Sequence, residues 1–263
     1  MDLYDVTRYR LAGTRRDLVL ADDERFVAGG TWMFSEPQPG VRGLVDLTGL
    51  GWPPVQELDD GLRIAATCTI AELVALPPNP ARPAQHLFAE CANALLASFK
   101  IWNTATVGGN ICRSFAAASM VSLAVALDGV ALIWRPDGSQ RRVDVAELIT
   151  GNGRNALAPG EVLRAVDFPG SALRSRATMR KAALAELGRS GAVVTGRCDE
   201  DGTSTFTVTA ATQAPRVLRY AALPAAAQLR SDVEALDGYY TDPLGSADWR
   251  RSVSAVLAGR ILA

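Results

Sequence analysis

The sequence predicts an α+β fold in two parts, on three observations. Short extended segments and short helices are interspersed along the chain, two strand pairs carry turn chemistry suited to antiparallel hairpins, and a compositional break falls at Pro169-Gly170-Ser171. In order, residues 26–30 (FVAGG) read as a buried strand ending in a glycine turn, 41–48 as a second strand and 62–67 as a third. Thr69 then caps a helix (IAELVAL) that Pro77 stops. After a proline-rich loop at 77–84, residues 86–99 predict one helix with Leu87, Cys91, Leu95 and Phe99 on one face. Residues 104–111 read as a turn-rich stretch and 115–128 as a buried helix of small residues. A strand at 129–134, a turn at Asp137-Gly138 and a return strand around Val143 follow, then a turn and strand over 157–169. Beyond the break, 191–198 and 204–211 form a hairpin through Asp199–Gly202, and helices cover 224–236 and 246–262. The expected domains are 1–169 and 170–263.

Composition excludes several function classes. With 27 basic and 28 acidic residues, the formal net charge of −1 lacks the basic excess of nucleic-acid or anionic-membrane binders. One histidine, His86, rules out a metal site built on several imidazoles. Cys68, Cys91, Cys112 and Cys198 form no C-x-x-C pair, so no zinc ribbon or iron–sulfur cluster is expected on this chain alone. Scattered single cysteines fit a reducing cytoplasm. The start, MDLYDVTRYR, has no signal-peptide pattern, and no apolar run approaches the ~20 residues of a membrane span.

Two stretches carry chemistry: Ala28-Gly29-Gly30-Thr31 and Thr106-Val107-Gly108-Gly109-Asn110. Adjacent glycines admit positive φ and let backbone approach a ligand closely. Successive N–H groups in such turns converge on an anion. Two facing loops would suit a diphosphate, with Thr31, Thr106 and Asn110 adding side-chain hydrogen bonds. A Gly-Gly pair taken alone is most simply a tight turn, and spacing alone leaves the two pairs together evenly balanced between turn and anion site. Gly151-Asn152-Gly153-Arg154-Asn155-Ala156 fits G-x-G-x-x-A but lacks the strand before and helix after that a dinucleotide fingerprint needs.

Taken in order, these motifs resemble the FAD-binding medium subunit of the xanthine dehydrogenase and carbon monoxide dehydrogenase family of molybdenum hydroxylases. AGGT at 28–31, GLVDLTGL at 43–50, GLRIAATCTIAEL at 61–73, NTATVGGNI at 103–111, LAPGEVLRAVDFP at 157–169 and GSADWRRSVSAVLAGRIL at 245–262 carry the likeness. NTATVGGNI, similar to the family's N-x-A-T-(I/V)-G-G-N-I, is the most specific. The resemblance implies a vanillyl-alcohol-oxidase-like (PCMH-type) FAD-binding domain of two subdomains and a smaller C-terminal α+β domain with an antiparallel sheet. It implies non-covalent FAD, a molybdenum-cofactor large subunit, a small subunit with 2Fe–2S clusters, and an external electron acceptor. Site residues carried over by it are the two loops, Trp32, Ser119, Leu157 and Arg180, with no catalytic side chain and no metal ligand. The chain departs from the family where a Pro and an Asp usually follow GGNI; Ala116 and Ser119 align there. Trp32 replaces a small polar or acidic residue. Those departures motivate a competing reading, a stand-alone flavin oxidase with its own substrate. A structural subunit that has lost FAD is a third, opposed by the intact loops.

His86, after the proline-rich loop, reads as a capping or solvated residue, and Cys112 as a small buried thiol. Tyr239, Tyr240 and Trp249 read as packing, and Arg15-Arg16 and Arg141-Arg142 as solvated surface.

Overall fold

The computed structural model describes residues 3–94, 97–185 and 188–262. Leu95, assigned by sequence to the 86–99 helix face, lies outside them.

The first layer is a parallel three-stranded sheet of β1 (Arg8–Leu11), β2 (Glu24–Val27) and β3 (Gly43–Asp46), in the order β1-β3-β2. The central strand is apolar because it is covered on both faces: Val45 packs with Ala12, Leu18, Leu47 and Val162, and Leu44 with Val27 and Val41. The strand expected at 41–48 ends at Asp46, whose carboxylate accepts the Thr48 N–H and starts a 3-10 turn at 47–50.

The second layer begins with β4 (Val55–Leu58) and β5 (Gly61–Ala65), followed by α1 (Ile70–Val74), α2 (Leu87–Asn93), α3 (Phe99–Trp102), α4 (Val107–Arg113) and α5 (Ser119–Ala126). Strands β6 (Val130–Trp134) and β7 (Gln140–Asp144), α6 (Val145–Leu148), the small hairpin β8 (Ile149–Gly151) and β9 (Arg154–Asn155), and β10 (Val162–Pro169) complete it. The five-stranded sheet has the order β4-β5-β10-β6-β7 and is antiparallel throughout. Its inner face buries Ile64, Ile133, Val166 and Phe168 against Leu87, Cys91, Ile111 and Leu123 of the helices. α1 starts at a capping box: Thr69 Oγ1 accepts the Glu72 N–H and the Glu72 carboxylate accepts the Thr69 N–H.

The third layer follows α7 (Gly170–Arg174). Strands β11 (Arg176–Ala183), β12 (Ser190–Cys198), β13 (Ser204–Thr209) and β14 (Arg216–Tyr220) form an antiparallel sheet in sequence order, and α8 (Ala226–Ala235) and α9 (Ala247–Ile261) cover one face. The other face meets the second layer. Ser122 and Thr209 hydroxyls lie 2.7 Å apart, Ser190 donates to the Ala94 carbonyl, and Arg197 reaches the Ala126 carbonyl. Both faces being covered, β12 and β13 are buried almost end to end.

Two expectations are corrected. The 86–99 helix is α2 alone, with Leu87 and Cys91 fully buried; Ser98 is extended (ψ 162°), the chain restarts as α3, and Phe99 is 70% exposed. The stretch at 104–111 is not a turn but contains most of helix α4, despite its two glycines. Glycine costs roughly 1 kcal/mol in a helix, and here tertiary bonds offset that cost: Thr106 Oγ1 accepts the Gly109 N–H, while Cys68 and Ala66 carbonyls accept those of Val107 and Gly108.

One buried ion pair ties the tip of β7 to β10. Glu161 accepts two bonds from Arg141, at 2.8 and 2.7 Å, and the Ala158 N–H. Arg141 is thus structural, not mere surface. The Arg141 guanidinium, with Arg135 beyond it, lowers the Glu161 carboxyl to about 2. A depressed carboxylate stabilises the fold fully above its unfolded value of about 4.3 and loses that contribution as pH falls through the folded value. Glu161→Gln is expected to cost about 1.5–3 kcal/mol at pH 6–7, a deficit that shrinks toward zero as pH approaches 2. Urea unfolding of both proteins across that range checks it; a constant deficit would remove the charge from the explanation.

Candidate functional site

The loop after β2 and the start of α4 open onto one cleft of about 990 Å³. That volume is at the upper end of the range for ligand pockets, about 300–1,000 Å³. Ala28, Gly29, Gly30, Thr31 and Trp32 line one side; Thr106, Gly109 and Asn110 line the other, with Cys112, Arg113 and Phe115 continuing the wall. The two sequence motifs, nearly eighty positions apart, are therefore brought together.

The glycines do different jobs. A Cβ on Gly29 would sit 1.8 Å from the Thr104 carbonyl oxygen, so only glycine lets the first loop close against 104–105. Gly30 has φ +67°, the left-handed region that favours glycine. A Cβ on Gly108 would meet Ala66 backbone atoms at 2.7 Å, so this residue seats α4 on the end of β5. Gly109 is the most open of the four, and a Cβ there would meet only the Thr106 hydroxyl, at 2.9 Å.

The two loops differ in the N–H groups they leave for an anion. Among the described residues no acceptor takes the N–H of Gly29, Gly30 or Thr31. In the second motif the N–H groups of Val107, Gly108, Gly109 and Asn110 are all consumed internally. What that motif offers instead is a bare backbone surface at Gly109 and the Asn110 amide. Asn110 Oδ1 accepts the Met120 N–H, fixing the first turn of α5 and leaving Nδ2 as a donor.

Val107, Gly108, Ser119, Leu157 and Arg180 do not line the cleft. Val107 and Gly108 are buried under α4. Ser119 is buried at the start of α5, and its Oγ has no hydrogen-bond partner. Leu157 packs against the main core. Arg180 lies on β11, where its guanidinium bonds the Met179 carbonyl. Ala116, also buried, is pinned by its N–H to Asn152 Oδ1.

Residues that the sequence reading did not single out complete the walls. The Arg113 guanidinium stacks on Phe115 (4.1 Å to the centroid) and Trp32 (4.8 Å), whose rings meet edge-on at 4.6 Å. Ile101, Ala105, Ala117, Ala118 and Arg189 also reach the cleft. The only sequence signal for Arg113 and Phe115 was adjacency to GGNI. Cys112 lines the cleft, and burial pushes its thiol up to about 12. It stays protonated and a poor nucleophile at neutral pH. His86 lies in the 3-10 turn 83–86, its Nδ1 on the Pro83 carbonyl, and is not a cleft residue.

The G-x-G-x-x-A segment is the β8–β9 hairpin, and it has a structural use. Gly153 N–H donates to the Ser114 carbonyl, and Asn155 Nδ2 to the Cys112 carbonyl and Ser114 Oγ. It braces the 112–116 corner that forms the cleft wall.

A cleft of this size, with an N–H loop that no protein acceptor takes and an aromatic wall, suits a nucleotide cofactor. Residues 12–171 match the family described as FAD binding domain in molybdopterin dehydrogenase, and the chain belongs to that family. Its cofactor is FAD. XdhB of Escherichia coli (strain K12), named as a xanthine dehydrogenase FAD-binding subunit, is 32% identical over 177 residues, 64% of this chain and 59% of that protein. The chain thus spans well under two thirds of this relative's length. Reconstituted CO dehydrogenase from Oligotropha carboxidovorans is similar in fold at a TM-score of 0.84, with 19% identity over 100% of this chain and 98% of that one. Quinoline 2-oxidoreductase from Pseudomonas putida 86 gives 0.81, with 20% identity over 97% and 95%.

The residues present fit FAD. The first loop supplies unspent N–H donors for a diphosphate, Gly109 leaves room that a side chain would fill, and the Ser119 hydroxyl and Arg113 Nε remain buried without partners beside the cleft.

Proposed function

We propose that this chain is the FAD-carrying subunit of a molybdenum hydroxylase-type oxidoreductase, relaying electrons from a partner's iron–sulfur clusters to an external acceptor. The observation that carries this reading is the convergence of AGGT and TVGGN on one cleft in a member of this family. Bound FAD supplies redox chemistry that accepts electrons singly or in pairs. The chain's own part is to bind and shield. Gly29, Gly30 and Thr31 donate N–H groups to the diphosphate, Thr106 and Asn110 add side-chain contacts, and Trp32, Phe115, Ala117 and Ala118 exclude water. Ser119, Leu157 and Arg180, which do not line the cleft, are proposed as contacts on family likeness alone. No side-chain general base is required of this chain.

The partners in this reading are a molybdenum-cofactor subunit and a 2Fe–2S subunit. Ile101 and Trp32 on the cleft are each 39% exposed and Phe99 is 70% exposed, the exposed apolar character that a docking surface shows at its centre. Within the chain we assign 1–169 to the FAD-binding domain, with subdomains of about 1–50 and 51–169, and 170–263 to a C-terminal domain. The sheets support this division: they draw on residues 8–46, 55–169 and 176–220. Among the described residues no helix is long and apolar enough to cross a membrane, and the four thiols are free, in keeping with a cytoplasmic setting.

The test uses the purified chain. One FAD per chain is expected, released into the supernatant on denaturation, because the only cleft thiol is held protonated and His86 is elsewhere. On anaerobic mixing, dithionite is expected to bleach the flavin, while aldehydes and N-heterocycles bleach it slowly or not at all without partner subunits. Rapid bleaching by an organic substrate alone would replace this reading with a stand-alone oxidase.

A further inference from the structure

Arg113 closes α4, with Ser114 as a left-handed cap at φ 57°. Its guanidinium lies against Phe115 and Trp32, its Nε is buried without a partner, and among the described residues it makes no ion pair. Arg164 shares that arrangement, stacked on Trp52 and Trp134 with its Nη1 buried and unpartnered, but it does not line the cleft, whereas Arg113 forms part of the cleft wall. Arg63 pairs with Asp167, Arg141 with Glu161, Arg197 with Asp128 and Asp199, and Arg250 with Asp242. The buried Nε of this half-buried cation has lost water without gaining an anion, and the aromatic faces supply only about 0.5–2 kcal/mol in return.

Its position is nonetheless held firmly. The corner at 112–116 is tied by Asn155 to Cys112 and Ser114, by Gly153 to Ser114, and by Asn152 to Ala116. Other charges on the cleft do not serve. Glu36 is exposed and of the wrong sign for an anion, and Arg189 pairs with Asp242 at 3.4 Å. The first loop contributes only uncharged N–H groups, and the second has spent its own.

We propose that Arg113 is the cation that compensates the FAD diphosphate, and that Trp32 and Phe115 serve to aim it. This rests on reading the cleft as the FAD site. It also gives Trp32 a use, as one face of the stack that holds Arg113, where the family has a small polar or acidic residue.

The experiment titrates the apoprotein with FAD, with ADP (the diphosphate without the ring) and with riboflavin (the ring without phosphates), for wild type, Arg113→Met and Arg113→Lys. Arg113→Met is expected to weaken FAD and ADP by about 10- to 100-fold, the worth of one charge-assisted contact, and to leave riboflavin unchanged. Arg113→Lys, which keeps the charge without the planar stack, recovers part of the loss. The salt dependence of FAD affinity is expected to flatten in Arg113→Met, because a screened ion pair has been removed; where riboflavin binds too weakly to read, this slope decides. Equal weakening of riboflavin and FAD would make Arg113 a wall residue only, and unchanged FAD and ADP affinity would overturn the proposal outright. Failure of the wild type to take FAD would sink the reading of the cleft, and this proposal with it.

Discussion

Gly109→Asp is expected to yield a folded protein that no longer holds FAD. Gly109 is the third residue of α4 after the Thr106 cap, a position where a carboxylate accepts the cap residue's N–H and favours the helix. The added Cβ meets only the tip of the Thr106 side chain. The fold therefore tolerates the change, while the cleft gains a negative charge facing a diphosphate. No backbone donor is lost, since the Gly109 N–H is already spent on Thr106. Repulsion and desolvation together are expected to cost on the order of 2–5 kcal/mol, roughly thirtyfold to several thousandfold in affinity. Flavin content of the purified variant and thermal unfolding of the apoproteins check this. Gly109→Asn, of the same size and uncharged, separates charge from bulk: if it loses as much FAD as Gly109→Asp, repulsion is not the cause. Normal flavin content in Gly109→Asp would remove this residue from the binding surface.

Arg250→Met is expected to be the most damaging single change to the C-terminal layer. Arg250 has no exposed surface, yet its guanidinium donates to the carbonyls of Gly191 (2.6 Å) and Ala210 (2.7 Å) and to Asp242, and lies 4.2 Å over the Tyr240 ring. Methionine fills much of the space but leaves the Gly191 and Ala210 carbonyls without a donor and Asp242 with only Arg189 and the Leu244 N–H. Breaking a buried charge pair this way costs about 3–5 kcal/mol, on the order of 10 °C in Tm for a domain of this kind. Ala210 sits at φ 62° and donates to the Ala116 carbonyl, so the loss reaches the corner beside the cleft. Urea midpoints with and without FAD measure both effects. A midpoint within experimental scatter of wild type would mean that Asp242 and the carbonyls find other partners.

Much of the fold was legible in the sequence because local signals there agree with the packing. Thr69 with Glu72 marks a helix start, Asp137-Gly138 and Asp199–Gly202 mark turns, and the buried helix at 119–126 is wholly apolar or small. Four edge strands were not legible, although the edge strands β2 and β7 were. β1, β4, β11 and β14 carry exposed polar or charged residues and form by pairing with a buried neighbour, so they lack the alternation of a half-buried strand. The single helix expected over 86–99 failed because a four-residue spacing cannot show that Ser98 turns the chain.

The binding loops divide the same way. By itself the sequence determined that this chain carries two glycine motifs in a fixed order, a single histidine and four scattered cysteines, since these depend on which residues are present. Only the tertiary structure decided how the motifs work. Whether an N–H is free depends on which carbonyl lies across from it: among the described residues none takes those of Gly29, Gly30 and Thr31, whereas Cys68 and Ala66 claim those of Val107 and Gly108. Arg113, Trp32 and Phe115 are separated in sequence or unremarkable in type, and they become one charged aromatic wall only because the β8–β9 hairpin holds the 112–116 corner beside the first loop. Contacts of that range are set by the packing of whole layers, which no local spacing encodes.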